Sequence, residues 1–112
     1  MRCLSATVRR VQPDFFAQHQ MDAAKVREIE SLLMVGKRFP RPVLVDYGGR
    51  YMPLDGHHRM AAHQRIGRDL DAWVVPGKAF DALCTRVDDA EAHVMCAGVV
   101  AMRVAEFETL TN

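Results

Sequence analysis

Residues 42–67 read PVLVDYGGRYMPLDGHHRMAAHQRIG, and the way this run divides into elements decides the fold. Val43-Leu44-Val45 is a β-branched apolar run too short for a helix; Pro40 and Pro42 frame its entry, and it reads as a buried strand. Tyr47-Gly48-Gly49-Arg50 supplies the glycines of a tight hairpin turn, because glycine takes positive φ at little cost. Tyr51 to Leu54 then returns as the partner strand, and Pro53 inside it argues for an edge or a strand end. Behind Gly56 the chain reads as helix from His57 to Ile66. Met60, Ala61, Ala62 and Ile66 give that helix an apolar side, and Gly67 fits the position that ends it.

Upstream, Leu4 to Val11 alternates, with Leu4, Ala6, Val8 and Arg10 on one side and Ser5, Thr7, Arg9 and Val11 on the other. This is the pattern of a short strand, ended by Pro13. From Asp22 the spacing changes to three and four residues: Val26, Ile29 and Leu33 recur, with Lys25, Arg27, Glu28 and Glu30 between them. An amphipathic helix capped by Asp22 and ending near Gly36 follows. Downstream, Ala72 to Val75 is a further strand, and the strand, helix, strand succession fits a crossover unit with parallel pairing. Phe80 to Leu83 reads as a helical turn.

Asp88 to Phe107 carries Ala90, Val94, Ala97, Ala101 and Val104 in one stripe, with Met95, Val99 and Met102 off it and Gly98 able to break it in two. A helix apolar on more than one side is buried or meets a partner, so residues 88–107 form either the last layer of the core or a homodimer seam.

A length of 112 residues with 49% hydrophobic content suffices for one core. The expectation is a single mixed α/β (α+β) domain over residues 1–112, with its core at about 4–83 and a helical tail at about 88–108. Fifteen basic against fourteen acidic side chains leave a net charge of +1, which lacks the excess that non-specific duplex binding draws on; DNA would need a local basic patch. Cys3, Cys84 and Cys96 fall in no metal or redox spacing and read as reduced thiols of a cytoplasmic protein. No uncharged run approaches the roughly 18 residues that span a bilayer, so membrane insertion and export are not expected.

The segment Asp55-Gly56-His57-His58-Arg59 carries the chemistry. A helix that begins directly after a strand points its first backbone N–H groups at the strand's carboxyl end, where they favour an anion. Gly56 allows a phosphate to approach closely, Arg59 adds a permanently charged bidentate contact, and His57 or His58 can donate hydrogen bonds. Asp55 would repel a bare phosphate; a metal contact, a sugar hydroxyl or a helix cap suits it better. The plainer reading makes Asp55 an N-cap and the histidines exposed first-turn residues.

Residues 42–75, that is the Val43 strand, the glycine hairpin, LDGHHRMAAHQRIG and AWVV, resemble the core of the ParB/sulfiredoxin superfamily, and the Asp22 helix and the strand near Val8 fall in that family's order. The resemblance covers roughly the first 80 residues. It implies a short mixed sheet flanked by helices, and a nucleotide-phosphate site that maps onto Gly56, His57, His58 and Arg59. The sulfiredoxin cysteine that follows the glycine is replaced here by His57, so sulfinic acid reduction is not implied. Neither the ENLQR-like motif nor the helix-turn-helix of partition ParB proteins follows Val75. The closer likeness is to stand-alone members, to which nucleotide hydrolysis, nuclease activity and free-serine phosphorylation are attributed. That likeness implies ATP, ADP or CTP as ligand, with or without Mg²⁺. It also brings Glu30, with Glu28 beside it, forward as a catalytic carboxylate together with Asp55, His57 and His58.

Competing readings accompany each group. HHxxxxH matches no standard zinc spacing, so no metal site is expected, and His63 reads as a solvent-facing helix residue. His19 and His93 have no neighbouring constellation. Cys84 and Cys96 in apolar helices read as core residues, and Tyr47, Tyr51 and Trp73 as packing rather than base stacking. Arg9, Arg10, Lys37, Arg38, Arg41 and Arg50 either rim a positive cleft or are solvated charges.

Overall fold

The computed structural model describes residues 6–15, 21–88, 90–92 and 94–96. In chain order these form β1 (Thr7–Val11), α1 (Ala23–Met34), β2 (Val43–Asp46), β3 (Tyr51–Asp55), α2 (His57–Ile66), β4 (Leu70–Pro76) and α3 (Gly77–Cys84). The strands make one mixed sheet in the order β1-β4-β2-β3. β1 and β4 pair antiparallel, as do β2 and β3, while β2 and β4 run parallel.

The pattern on β2 explains this order. Val43 and Val45 point to one face of the sheet, Leu44 to the other, and all three are buried, so both edges of the strand need a neighbour. The hairpin supplies β3 on one edge, and β4 takes the other. The expected parallel pairing therefore joins β4 to β2 and not to β3, the strand that leads into α2. Pro53 lies on β3, an outer strand, as its missing N–H requires. Part of that edge is covered: Phe15 bridges Tyr51, and the Tyr51 N–H donates to the Asp14 carbonyl at 3.0 Å.

Each face of the sheet builds its own core. On one, Val43, Val45, Trp73 and Val75 pack with Phe80 and Leu83 of α3; on the other, Val11, Leu44, Leu70 and Val74 pack with Met60 of α2. Leu44 and Met60 have no exposed surface, and burial of a side chain of that size contributes about 1.5–3 kcal/mol. α1 lies against α2, with Val26 as its one fully buried residue. The Asp22 carboxylate caps α1 by accepting from the amides of Ala24 (3.0 Å) and Lys25 (3.4 Å). At the other end, Gly36 N–H donates to Leu33 and Lys37 N–H to Leu32, closing the helix where the sequence places its end.

Three details depart from the sequence reading. Val8 is 42% exposed although Ala6 on the same side is buried in the core, because β1 is an outer strand and its face leaves the core beyond Ala6. On α2 it is His63, only 6% exposed, that joins Met60 and Ala62 in the interior, while Ala61 and Ile66 are half-buried. In the tail, Asp88 accepts from Ala92 N–H through its carbonyl and from Glu91 N–H through its carboxylate. The helix that follows turns Ala92 and Cys96 inward and leaves Val94 72% exposed. Ala92 and Cys96, one turn apart, share a face and join the core that Val43, Val45, Phe80 and Leu83 build. Ala97, Gly98, Val99, Ala101, Met102 and Val104 lie outside the described residues, as do Leu4, Ser5, Cys3, His19 and His93.

Candidate functional site

Pro53 also begins the site. Opposite it the register between β2 and β3 slips: Val43 pairs with Asp55 and Leu44 with Pro53, so Leu54 is an extra residue and the strand bulges just before Asp55. Gly56 then takes φ +83° and leads straight into α2 as its N-cap. Pro42 packs so close that a Cβ on Gly56 would lie 2.6 Å from the Pro42 Cβ. Asp55 is thus the last residue of β3 and not the cap; its Oδ1 accepts the Gly56 N–H at 3.0 Å. The first rung of α2 is Met60 N–H on the Gly56 carbonyl, at 3.0 Å. The turn ahead of that rung contains no acidic residue, so the positive end of the helix is offset only by Asp55 just before it.

A cleft of about 280 Å³ opens at this helix start. Asp55, Gly56, His57, His58 and Arg59 line one side of it, Lys25 and Ile29 of α1 another, and the 39–42 loop the third. His58 ties two walls together, its Nε2 accepting the Asp22 N–H at 3.3 Å. Arg59 braces the loop: one Nη donates to the carbonyls of Phe39 (2.7 Å) and Pro40. Burial, and then the neighbouring charge of Arg41, push the Arg59 pKa down, yet a guanidinium stays protonated in water. Arg59 is therefore a half-buried cation at the cleft wall with part of its donor set already used.

Glu30 stands apart from this cleft, its Oε2 2.8 Å from Arg65 Nε across the α1–α2 contact. Glu28 is exposed on α1 and does not line the cleft either. Lys25, by contrast, lines it and was not singled out in the sequence. Only the pairing of the two helix starts brings it there, and no local pattern encodes that pairing.

Arg59 also forms part of a second, larger cleft of about 770 Å³ between the 37–41 loop and the start of β4. Four of the six basic residues noted in the sequence, Arg10, Lys37, Arg38 and Arg41, line it. Arg9 instead pairs with Asp46 and lies 5.9 Å over the Tyr51 ring. His63 contributes to the second cleft from α2, which corrects its reading as a solvent-facing residue. Burial, then the charge of Arg59, push its pKa below the ordinary 6.5, so it is neutral at pH 7. Cys96 is buried in the core and its thiol is pushed up by that burial, the reverse of what a nucleophile needs. Among the described residues no three His, Cys, Asp or Glu side chains gather as a metal site, and no helix is long and apolar enough to cross a membrane.

No family model matches the sequence, and no curated protein matches it. Among solved structures the chain is similar to a conserved hypothetical protein from Pyrococcus furiosus, with a TM-score of 0.46 and 23% identity over 67% of this chain. It is also similar to a Pnob8-like ParB-N domain, with a TM-score of 0.46 and 15% identity over 97% of this chain. The chain spans 33% of the first of these solved chains and 49% of the second, under two thirds of either length.

Proposed function

We propose that the cleft at the start of α2 binds the phosphate groups of a nucleotide of the ATP, ADP or CTP class. The observation that carries this reading is the convergence of Lys25, Arg59 and the α2 amino end on one small cleft beneath a glycine with no room for a side chain. Backbone donors at a positive helix end, flanked by two cations, suit an oxyanion. A volume of about 280 Å³ fits a phosphoryl group or two, leaving sugar and base in the open mouth. Asp55, exposed at the rim, is the carboxylate placed to accept a proton or to contact Mg²⁺ beside a bound phosphate. Hydrolysis or phosphoryl transfer is the reaction class this layout serves.

Isothermal titration with ADP, ATP and CTP, with and without Mg²⁺, tests the proposal. Lys25→Ala is expected to weaken binding by about tenfold, as the loss of one charge-assisted contact does. Arg59→Ala should weaken it further, with the far-UV circular dichroism checked because this change also releases the 39–40 loop. Absence of heat with all three nucleotides, or unchanged affinity in both variants, overturns the reading. Phosphate release from ATP or CTP then distinguishes hydrolysis from binding alone.

A further inference from the structure

We infer that the larger cleft, on the far side of Arg59, is a second anion site, one that takes an oligophosphate. Its polar wall is unbalanced in one sense. Five cations, Arg10, Lys37, Arg38, Arg41 and Arg59, face two carboxylates, Asp69 and Asp71, and Asp71 is already paired with Arg10 at 3.5 Å. The carbonyls of Phe39 and Pro40, which could have served as acceptors, are taken by Arg59.

Two buried donors reach this cleft from opposite faces of the sheet, His63 from the α2 side and Trp73 from the α3 side. Arg59 Nε, which always carries a hydrogen, points at His63 Nε2 at 3.5 Å. The neutral ring must then hold its proton on Nδ1, and that atom is buried with no acceptor in hydrogen-bond geometry, the Arg68 backbone lying near enough only to favour the protonated ring. The indole Nε1 of Trp73 is a donor by nature and is likewise buried and unpaired. Both residues line the cleft and both are more than nine-tenths buried, at 6% and 8% exposure. A buried donor without an acceptor costs about 1–3 kcal/mol, and native proteins seldom retain one without a reason. Two of them bordering one cleft with surplus positive charge call for a ligand with several acceptor oxygens and at least two negative charges. Phosphoryl oxygens meet both demands, and the volume of about 770 Å³ admits three linked phosphates or more.

Trp73 is the only tryptophan in the chain, so its indole N–H gives a single resonance in a ¹H–¹⁵N spectrum. Titration of the full chain with inorganic tripolyphosphate should move that resonance downfield as the donor gains an acceptor. The double variant Lys37→Ala/Arg38→Ala, whose side chains line this cleft and not the smaller one, should need about tenfold more tripolyphosphate for half the shift. Lys25→Ala, confined to the smaller cleft, should leave the titration unchanged. An indole signal that does not move, or one whose titration depends on Lys25 and not on Lys37 and Arg38, overturns the inference. Neither result bears on nucleotide binding at the smaller cleft, which is read from the calorimetry of the Lys25 variant, since Arg59 borders both clefts. A single-stranded oligonucleotide run in parallel identifies the source of the phosphates. Competition for the same shift extends the site to strand backbones, and lack of competition restricts it to free oligophosphates.

Discussion

Gly56 shows how much one position can settle. Its φ of +83° is costly for any residue with a Cβ, and the space where that Cβ would sit is filled by Pro42. The two effects act together, so Gly56→Ala is expected to lose at least about 1–3 kcal/mol. An unfolding free energy from urea titration that changes by less than about 0.5 kcal/mol would mean that the β3–α2 turn relaxes at no cost. The need for glycine was legible from its place between a strand and a helix. The proline beneath it was not, because Pro42 comes into contact only when β2 and β3 pair.

At the scale of elements, the two helix starts are the decisive pair. Asp22 caps α1 with its carboxylate, and its backbone N–H reaches His58 on α2. Asp22→Ala removes the cap alone and is expected to destabilise by about 1 kcal/mol. Because Lys25 sits in that same first turn, the variant should also weaken ADP binding, whereas a cap that served stability alone would leave the affinity of the folded protein unchanged. Denaturant unfolding and calorimetry on the one variant separate these outcomes. The exposed Glu30–Arg65 pair farther along the same contact ties α1 to α2; pairs of this kind add about 1 kcal/mol or less.

For the molecule as a whole, His63 links folding to pH. Its pKa in the folded state is lowered from 6.5, chiefly by burial, so the unfolded chain binds the proton more readily. The stabilisation from keeping the ring neutral is complete above pH 6.5 and is lost as pH falls from there through the depressed folded value. His63→Gln removes this titration. The wild-type protein should therefore lose stability more steeply than the variant between pH 6.5 and about 5, above the range where most carboxylates titrate. Parallel thermal-unfolding profiles over that interval would exclude His63 as the linked group. An oligophosphate beside Nδ1 would act in the opposite direction, because its negative charge favours the protonated ring and raises the depressed pKa.

By itself the sequence determined the local elements. The apolar Val43-Leu44-Val45 run, the glycine hairpin, Pro53 at an outer strand, the Asp22 cap and the helix from His57 to Ile66 all follow from backbone sterics and short-range hydrogen bonding, which a few neighbouring residues dictate. Only the tertiary structure decided that β4 pairs with β2, that α2 buries His63, that Cys96 and not Val94 faces the core, and that Lys25 stands beside Gly56 while Glu30 turns to Arg65. Each of these depends on which surfaces meet across long separations in the chain. A side chain's own periodicity allows several such faces, and packing against the rest of the molecule selects one.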